Sequence, residues 1–255
     1  MIKCCSGASK VCRIRCRRLM IKVSRTLFLF LFSFVFILSN RFVEAENIKA
    51  EEPRMAALQK AYFAGGCFWC MEGPFEQTEG VTGVDSGYVN SKVPNPIYEQ
   101  VSEGNTGAYE AIEVVYDPAK VDFEDLLNVY WTTIDPTQTD GQFADRGPQY
   151  LTAIFYQTED EKKIAEESRK VLDESRIFKK PVTVPVVSFQ NWARAEEYHQ
   201  DYYKKNAAHY NSYSLGSGRK SFLDKTWNKK AYCPLRRITP ERLKEKLAAA
   251  WPIKE

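Results

Sequence analysis

Six consecutive residues, Gly65-Gly66-Cys67-Phe68-Trp69-Cys70, carry the most reactive pattern in the chain. A thiol attacks as its thiolate, and a helix N-terminus favours that form through unpaired backbone N–H groups and the positive dipole end. The two glycines let the backbone turn sharply between a short predicted strand, Lys60–Ala64, and a predicted helix over 67–77. Cys67 then falls at or near the helix start, where the dipole would lower its pKa. Phe68 and Trp69, directly after it, can wall an apolar pocket beside the sulfur. Three chemistries compete for Cys67 and Cys70. A structural disulfide would close a tight ring and cross-link little chain. A zinc site would need His199 and His209, whose separation of ten departs from the usual close spacing. A redox or nucleophilic role is favoured, with a thioredoxin-like C-x-x-C as its first form.

The elements that must position these groups read as one α+β domain with a mixed sheet. Strands are expected over 80–89 (bent, glycine-containing), 111–116, 150–156 and 182–189, with Pro185 placing the last at an edge or bulge. Helices are expected over 122–131, with Asp122 as N-cap and Phe123, Leu126, Leu127 and Tyr130 on one face, and over 158–175, with Ile164, Val171 and Leu172 inward. A polar helix is expected over 195–205, an extended tail from Gly216, and a further helix over 239–250. Residues 90–107 and 134–148 read as irregular loops longer than ordinary connections, a length common in functional loops. No internal repeat is visible.

The N-terminal 45 residues are a different material. The chain has 255 residues and a net charge of +3. Nine Lys/Arg and one acid give residues 1–45 a charge of +8, which leaves −5 for the remaining 210. A basic stretch to Arg25 is followed by the apolar run Leu27–Leu38, too short to span a bilayer as a helix of about 20 residues. Val43-Glu44-Ala45 completes a secretory signal, with cleavage expected after Ala45. An uncleaved membrane anchor, and a start at Met20, are the alternatives. Residues 46–59 read as a flexible lead-in, 60–230 as the catalytic domain and 231–255 as a tail. Four of seven cysteines lie in the leader, and Cys67, Cys70 and Cys233 remain. An odd count in an exported chain leaves at least one thiol unpaired or reactive. The acidic balance of the mature part excludes a nucleic-acid platform, so the aromatic-rich segment 198–213 reads as packing.

Six segments together resemble the A-type methionine sulfoxide reductases, the peptide-methionine (S)-S-oxide reductase family. They are YFAGGCFWCMEGPFE (62–76), GVTGVDSGYVN (80–90), PNPIYEQVSEGNTGAYEAIEVVYDP (94–118), IDPTQTDGQFADRGPQYLTAIFY (134–156), AEEYHQDYYKKN (195–206) and GSGR (216–219). The similarity runs from about Tyr62 to about Trp227, and the order and spacing of the segments are far more specific than any one of them. The resemblance implies a two-layer α+β sandwich with a ferredoxin-like core. It implies Cys67 as the nucleophile, Phe68 and Trp69 as the pair that hold the substrate methyl group, and Tyr98 and Tyr150 as phenols facing the sulfoxide oxygen. Glu110 matches the family acid and Asp145 the supporting aspartate. Four residues depart from the usual pattern: Ala108-Tyr109 replaces His-Ala before Glu110, Ser102 stands where many relatives have cysteine, and Pro148 where Ser or Thr is common.

The implied chemistry is consistent with the residue types. Cys67 supplies a thiolate. Glu110, if buried and protonated, can donate a proton to the sulfoxide oxygen. Tyr98 and Tyr150 can donate to the same oxygen. The product is methionine and a sulfenic acid on Cys67. Cys233 is slightly favoured to resolve it, with Cys70 or a relay through both as the alternative. No cofactor or metal is expected. The expected partners are a thioredoxin-type reductant, oxidised proteins and free methionine sulfoxide. The expected state is a periplasmic or secreted monomer, touching membrane only through an uncleaved signal segment. Taken singly, Tyr98 and Tyr150 would read as core or rim. Glu110, directly before an apolar strand, would read as solvent-facing, and His199 as a structural hydrogen-bonder. An exported thioredoxin-like dithiol–disulfide oxidoreductase and a disulfide-stapled binding module are the competing functions.

Overall fold

A computed structural model describes residues 57–227. The signal segment with its cleavage after Ala45, most of the lead-in, Cys233 and the helix over 239–250 lie outside the described residues. A six-stranded mixed sheet organises the rest, in the order β7-β6-β1-β3-β2-β8. Its strands are β1 (Gln59–Gly65), β2 (Val81–Val89), β3 (Tyr109–Tyr116), β6 (Thr152–Tyr156), β7 (Val186–Ser188) and β8 (Trp192–Arg194). All neighbours are antiparallel except β6 and β7. A separate two-stranded ribbon pairs β4 (Gly141–Gln142) with β5 (Asp145–Arg146).

Central β1 is buried on both faces, because Ala61-Tyr62-Phe63-Ala64 is a continuous apolar run whose successive side chains point to opposite sides of the sheet. Ala61 and Phe63 enter the main core, while Tyr62 and Ala64 enter a second cluster with Val89, Ala111, Ala153 and Phe155. The helices cover the main-core face: α1 (Trp69–Glu76), α3 (Phe123–Trp131), α4 (Glu159–Glu174) and α7 (Arg219–Trp227) all contribute buried side chains. The N-cap of α3 forms as its sequence dictates. Asp122 accepts from the Asp125 N–H at 2.9 Å, and Asp125 accepts in return from the Asp122 N–H at 3.3 Å. Phe123, Leu126, Leu127 and Tyr130 are all buried on this helix.

Several expectations need correction. The 90–107 loop contains a short helix, α2 (Tyr98–Ser102), and the 134–148 loop contains β4 and β5. Tyr150 lies in a 3-10 turn, Pro148–Tyr150, so the strand that follows starts at Thr152. On α4, Ile164 is 38% exposed and Ala165, Ser168, Val171 and Leu172 face inward. Ser168 is drawn in because its Oγ accepts the Trp131 indole N–H at 2.8 Å. The strand expected over 182–189 is only Val186–Ser188, at the sheet edge where Pro185 suggested. The polar helix over 195–205 is instead a 3-10 turn (Glu197–His199), a left-handed Asp201 and a short helix, α5 (Tyr202–Lys205). After α6 (Ala207–Gly216), the extended tail expected from Gly216 is instead helix α7, anchored by Leu223 and Trp227 in the core.

Candidate active site

Cys67 sits between β1 and α1. The helix begins at Trp69 with Phe68 at the N-cap position, so Cys67 precedes the first turn rather than opening it. Gly66 has φ +79°, and a Cβ there would lie 2.4 Å from the Gln142 Cβ. Only glycine makes this turn against β4 without displacing it. The Cys70 N–H donates to the Cys67 carbonyl at 3.1 Å, folding the two thiols back on each other. Both are free and buried, 6% and 4% exposed.

This placement changes the expected electrostatics. Burial pushes the Cys67 thiol well up, and the neighbouring Cys70 and Glu110 add to it. Cys70 is the sulfur drawn down, to about 7, because the Cys67 thiol donates a hydrogen bond to it and the Arg219 guanidinium favours its charge. The helix end does not activate Cys67 as the sequence suggested, because the sulfur is desolvated and lies one residue outside the cap.

Glu110 is the group the sequence placed least securely. The strand begins two residues earlier than expected, at Tyr109, so Glu110 lies within β3. By the two-residue period it shares the helix-covered face with Ile112 and Val114. It is 2% exposed and accepts the Phe68 N–H at 3.3 Å. Burial, reinforced by Asp145 and Cys70, raises its carboxyl to about 8. The acid is thus mostly protonated at neutral pH, next to Cys67.

Two phenols complete this side. The Tyr150 hydroxyl hydrogen-bonds to that of Tyr98, and burial with the nearby Glu110 raises both above the usual phenol value. Cys67 is an electrostatic neighbour of each. Both are therefore uncharged donors near the sulfur. Tyr98 is fixed at the start of α2 by its own N–H, which donates to Glu196 at 2.8 Å.

Phe68 and Trp69 divide the role expected of them. Phe68 is 1% exposed and belongs to the main core, whereas Trp69 is only partly buried. The Trp69 ring stacks on Tyr202 at 3.8 Å, and its indole N–H donates to His199 Nδ1 at 3.1 Å. Burial lowers the His199 pKa, so the ring is neutral and its proton lies on Nε2. His199 also packs on Tyr98 with centroids 4.5 Å apart. It is the structural hydrogen-bonder the sequence suggested, and it ties the Trp69 wall to the Tyr98 clamp. His209 is elsewhere engaged, with Nδ1 3.1 Å from the Tyr202 hydroxyl. Among the described residues, no group of three His, Cys, Asp or Glu side chains is placed to hold a metal ion.

Two residues were missed. Tyr210 and Tyr213 lie three apart on α6, hence on one face. Tyr210 hydrogen-bonds to Cys70 and Tyr213 to Cys67. The Tyr213 hydroxyl also donates to Asp145, which joins α6 to the β4–β5 ribbon. The sequence signal was the i, i+3 pair of phenols, read only as packing. The site therefore gathers Cys67, Cys70, Glu110, Tyr98, Tyr150, Asp145, Phe68 and Trp69; Cys233 lies outside the described residues.

These surroundings suit one class of chemistry: thiol reduction of an oxidised group whose oxygen must take up a proton. Residues 59–231 match the family model described as peptide methionine sulfoxide reductase. The peptide methionine sulfoxide reductase MsrA of Listeria monocytogenes serotype 4a is 48% identical over 171 residues, covering 67% of this chain and 97% of that protein. That of Halalkalibacterium halodurans is 49% identical over 172 residues, 68% of this chain and 98% of that protein. Among solved structures, Mxr1 of Saccharomyces cerevisiae in reduced form superposes with a TM-score of 0.55 at 25% identity, over 59% of this chain and 86% of that one. Methionine sulfoxide reductase A of Corynebacterium diphtheriae gives 0.52 at 29% identity, over 60% and 76%. The chain belongs to the peptide methionine sulfoxide reductase family, in its A type. The thioredoxin-like reading of Cys67 and Cys70 is not favoured.

Proposed function

We propose that this protein reduces the S epimer of methionine sulfoxide, free and within polypeptides, by covalent thiol catalysis at Cys67. The observation that carries the reading is Glu110, a buried and mostly protonated carboxyl beside the Cys67 sulfur. Substrate enters with its methyl group against Phe68 and Trp69 and its oxygen toward Glu110, Tyr98 and Tyr150. Cys67 gives up its proton and attacks the sulfoxide sulfur. Glu110 delivers a proton to the oxygen as the S–O bond weakens, and the two phenols donate to the developing charge. Asp145 accepts the Tyr213 hydroxyl and so fixes that phenol beside Cys67. The oxygen leaves as water and a Cys67–substrate S–S bond forms. A water molecule then adds to the Cys67 sulfur as that S–S bond breaks, releasing a proton and methionine, its sulfur reduced by two electrons, and leaving Cys67 oxidised by two electrons to the sulfenic acid.

A second thiol then forms a disulfide with Cys67, and a thioredoxin-type donor reduces it. Cys70, hydrogen-bonded to Cys67, is the resolving thiol the described geometry favours, where the sequence leaned toward Cys233. The reductant is external, and the reading calls for no bound cofactor. The basic leader and the apolar run before Ala45 support export through a cleaved signal peptide, and with it a periplasmic or secreted site of action. The test is reduction of the separated S and R epimers by the purified protein with dithiothreitol. Turnover of the S epimer, lost in Cys67→Ser, supports the reading; equal turnover of both epimers, or full activity of Cys67→Ser, overturns it.

A further inference from the structure

Arg219 is a buried cation for which the catalytic steps above have no use. Its side chain comes from the first residue of α7 and is 2% exposed. Nη1–H donates to the Thr133 carbonyl and Nη2–H to the Gly65 carbonyl, each at 2.8 Å. The guanidinium lies over the Phe143 ring, 4.6 Å from its centroid. Among the described residues no carboxylate forms an ion pair with it. Two carbonyls and a ring satisfy its hydrogen bonds but not its charge, and a buried charge without a counter-ion is costly.

The guanidinium lies against the turn that leads to the thiols. Gly65 ends β1 two residues before Cys67, and a Cβ on Gly66 would lie 2.9 Å from Arg219 Nη2. From there the guanidinium favours the Cys70 thiolate. The other groups facing the pair divide in sign. Asp145 and Glu110 are acids, and Tyr210, Tyr213 and the Cys67 thiol are neutral donors. Arg219 is the only permanent cation in this set.

We propose that Arg219 is a positioning residue for regeneration: its guanidinium, pinned to the Gly65 and Thr133 carbonyls, holds Cys70 as the thiolate that attacks the Cys67 sulfenic acid. In that step a Cys67–Cys70 S–S bond forms with the electron pair of the Cys70 thiolate. The Cys67 S–O bond breaks, and the departing hydroxide takes a proton from solvent and leaves as water. The inference rests on the reading of Cys67 as the nucleophile that becomes a sulfenic acid.

The experiment is a single turnover of the full-length reduced protein with a methionine sulfoxide peptide, acid-quenched over time and read two ways. Methionine formed reports the first step; the Cys67–Cys70 linked peptide, by mass mapping, reports the second. Arg219→Gln keeps hydrogen-bond donors without charge, and Arg219→Lys keeps charge without the fork. The pH midpoint of disulfide formation should rise by about one to two units in Arg219→Gln and return toward that of the unsubstituted protein in Arg219→Lys. An unchanged midpoint in Arg219→Gln overturns the proposal. So does an equal shift in both variants, which would make the role one of shape, and so does a disulfide from Cys67 to Cys233 in the unsubstituted protein. If Arg219→Gln does not fold, Arg219→Lys decides: a midpoint near that of the unsubstituted protein supports the proposal, and a rise of about one to two units overturns it. Absence of methionine formation by the unsubstituted protein would instead refute the proposed function, and so is told apart.

Discussion

Replacing Glu110 by Gln keeps the shape of the acid and removes its transferable proton. With the carboxyl raised to about 8, about nine in ten molecules carry that proton at pH 7. An exposed glutamate would carry it in fewer than about one in a hundred. The difference corresponds to about 5 kcal/mol against the carboxylate at this site, at roughly 1.4 kcal/mol per pH unit. Loss of a positioned general acid lowers the rate by about 10²- to 10⁴-fold, and Glu110→Gln should fall in that range. The pH profile is more diagnostic. Reaction needs Cys67 deprotonated and Glu110 protonated, so the first step should show a bell. Glu110→Gln should leave a single rising limb governed by Cys67. The assay is rapid-quench measurement of methionine from about pH 6 to 10 with protein in excess. A Glu110→Gln rate within a few-fold of the unsubstituted protein, or a bell that persists in it, would refute the general-acid role.

Other consequences follow from single contacts. His199→Ala removes the acceptor of the Trp69 N–H and the ring under Tyr98; KM for methionine sulfoxide should rise about tenfold, more than kcat falls, in steady-state assays. Gly66→Ala forces a left-handed φ and a clash with Gln142, so chemical denaturation should show about 1–3 kcal/mol lost. Tyr213→Phe frees Asp145 and removes a hydrogen bond from Cys67; the pH midpoint of the first step should move upward, measured in the same rapid-quench assay. Glu72, buried with only Ser86 and Asp201 as partners, is raised to about 7. The folded state then holds a proton that the unfolded state releases above pH 4.5, so Glu72 weakens the fold as pH rises from about 4.5 to about 7. Denaturation midpoints of Glu72→Gln should fall less across that window than those of the unsubstituted protein.

The sequence exposed those parts of the fold whose periodicity is strong and local. The short strand at Lys60–Ala64, the N-cap at Asp122 and the face Phe123, Leu126, Leu127 and Tyr130 each form as read. Edges and polar helices were less legible. Pro181 and Pro185 lack ladder donors, so the expected strand shortens to Val186–Ser188. Helix α7 hides its apolar side chains among Lys220, Asp224 and Lys225, and Gly216 and Gly218 before it read as the start of a tail. The candidate site was legible mainly as a family pattern. Glu110 looked solvent-facing until the strand was found to begin at Tyr109, which turns its side chain inward. Arg219 and the phenols Tyr210 and Tyr213 were illegible because they meet the thiols through contacts more than 130 residues distant in sequence.

The central claim is that Cys67 itself takes the oxidation that the sulfoxide loses. The direct measurement uses the Cys70→Ser, Cys233→Ser double variant, reduced, freed of reductant and mixed with methionine sulfoxide in the presence of dimedone. The account predicts one equivalent of methionine per protein and a matching dimedone adduct on Cys67, located by peptide mass mapping. Methionine formed without an adduct on Cys67, or an adduct on any other residue, would contradict it.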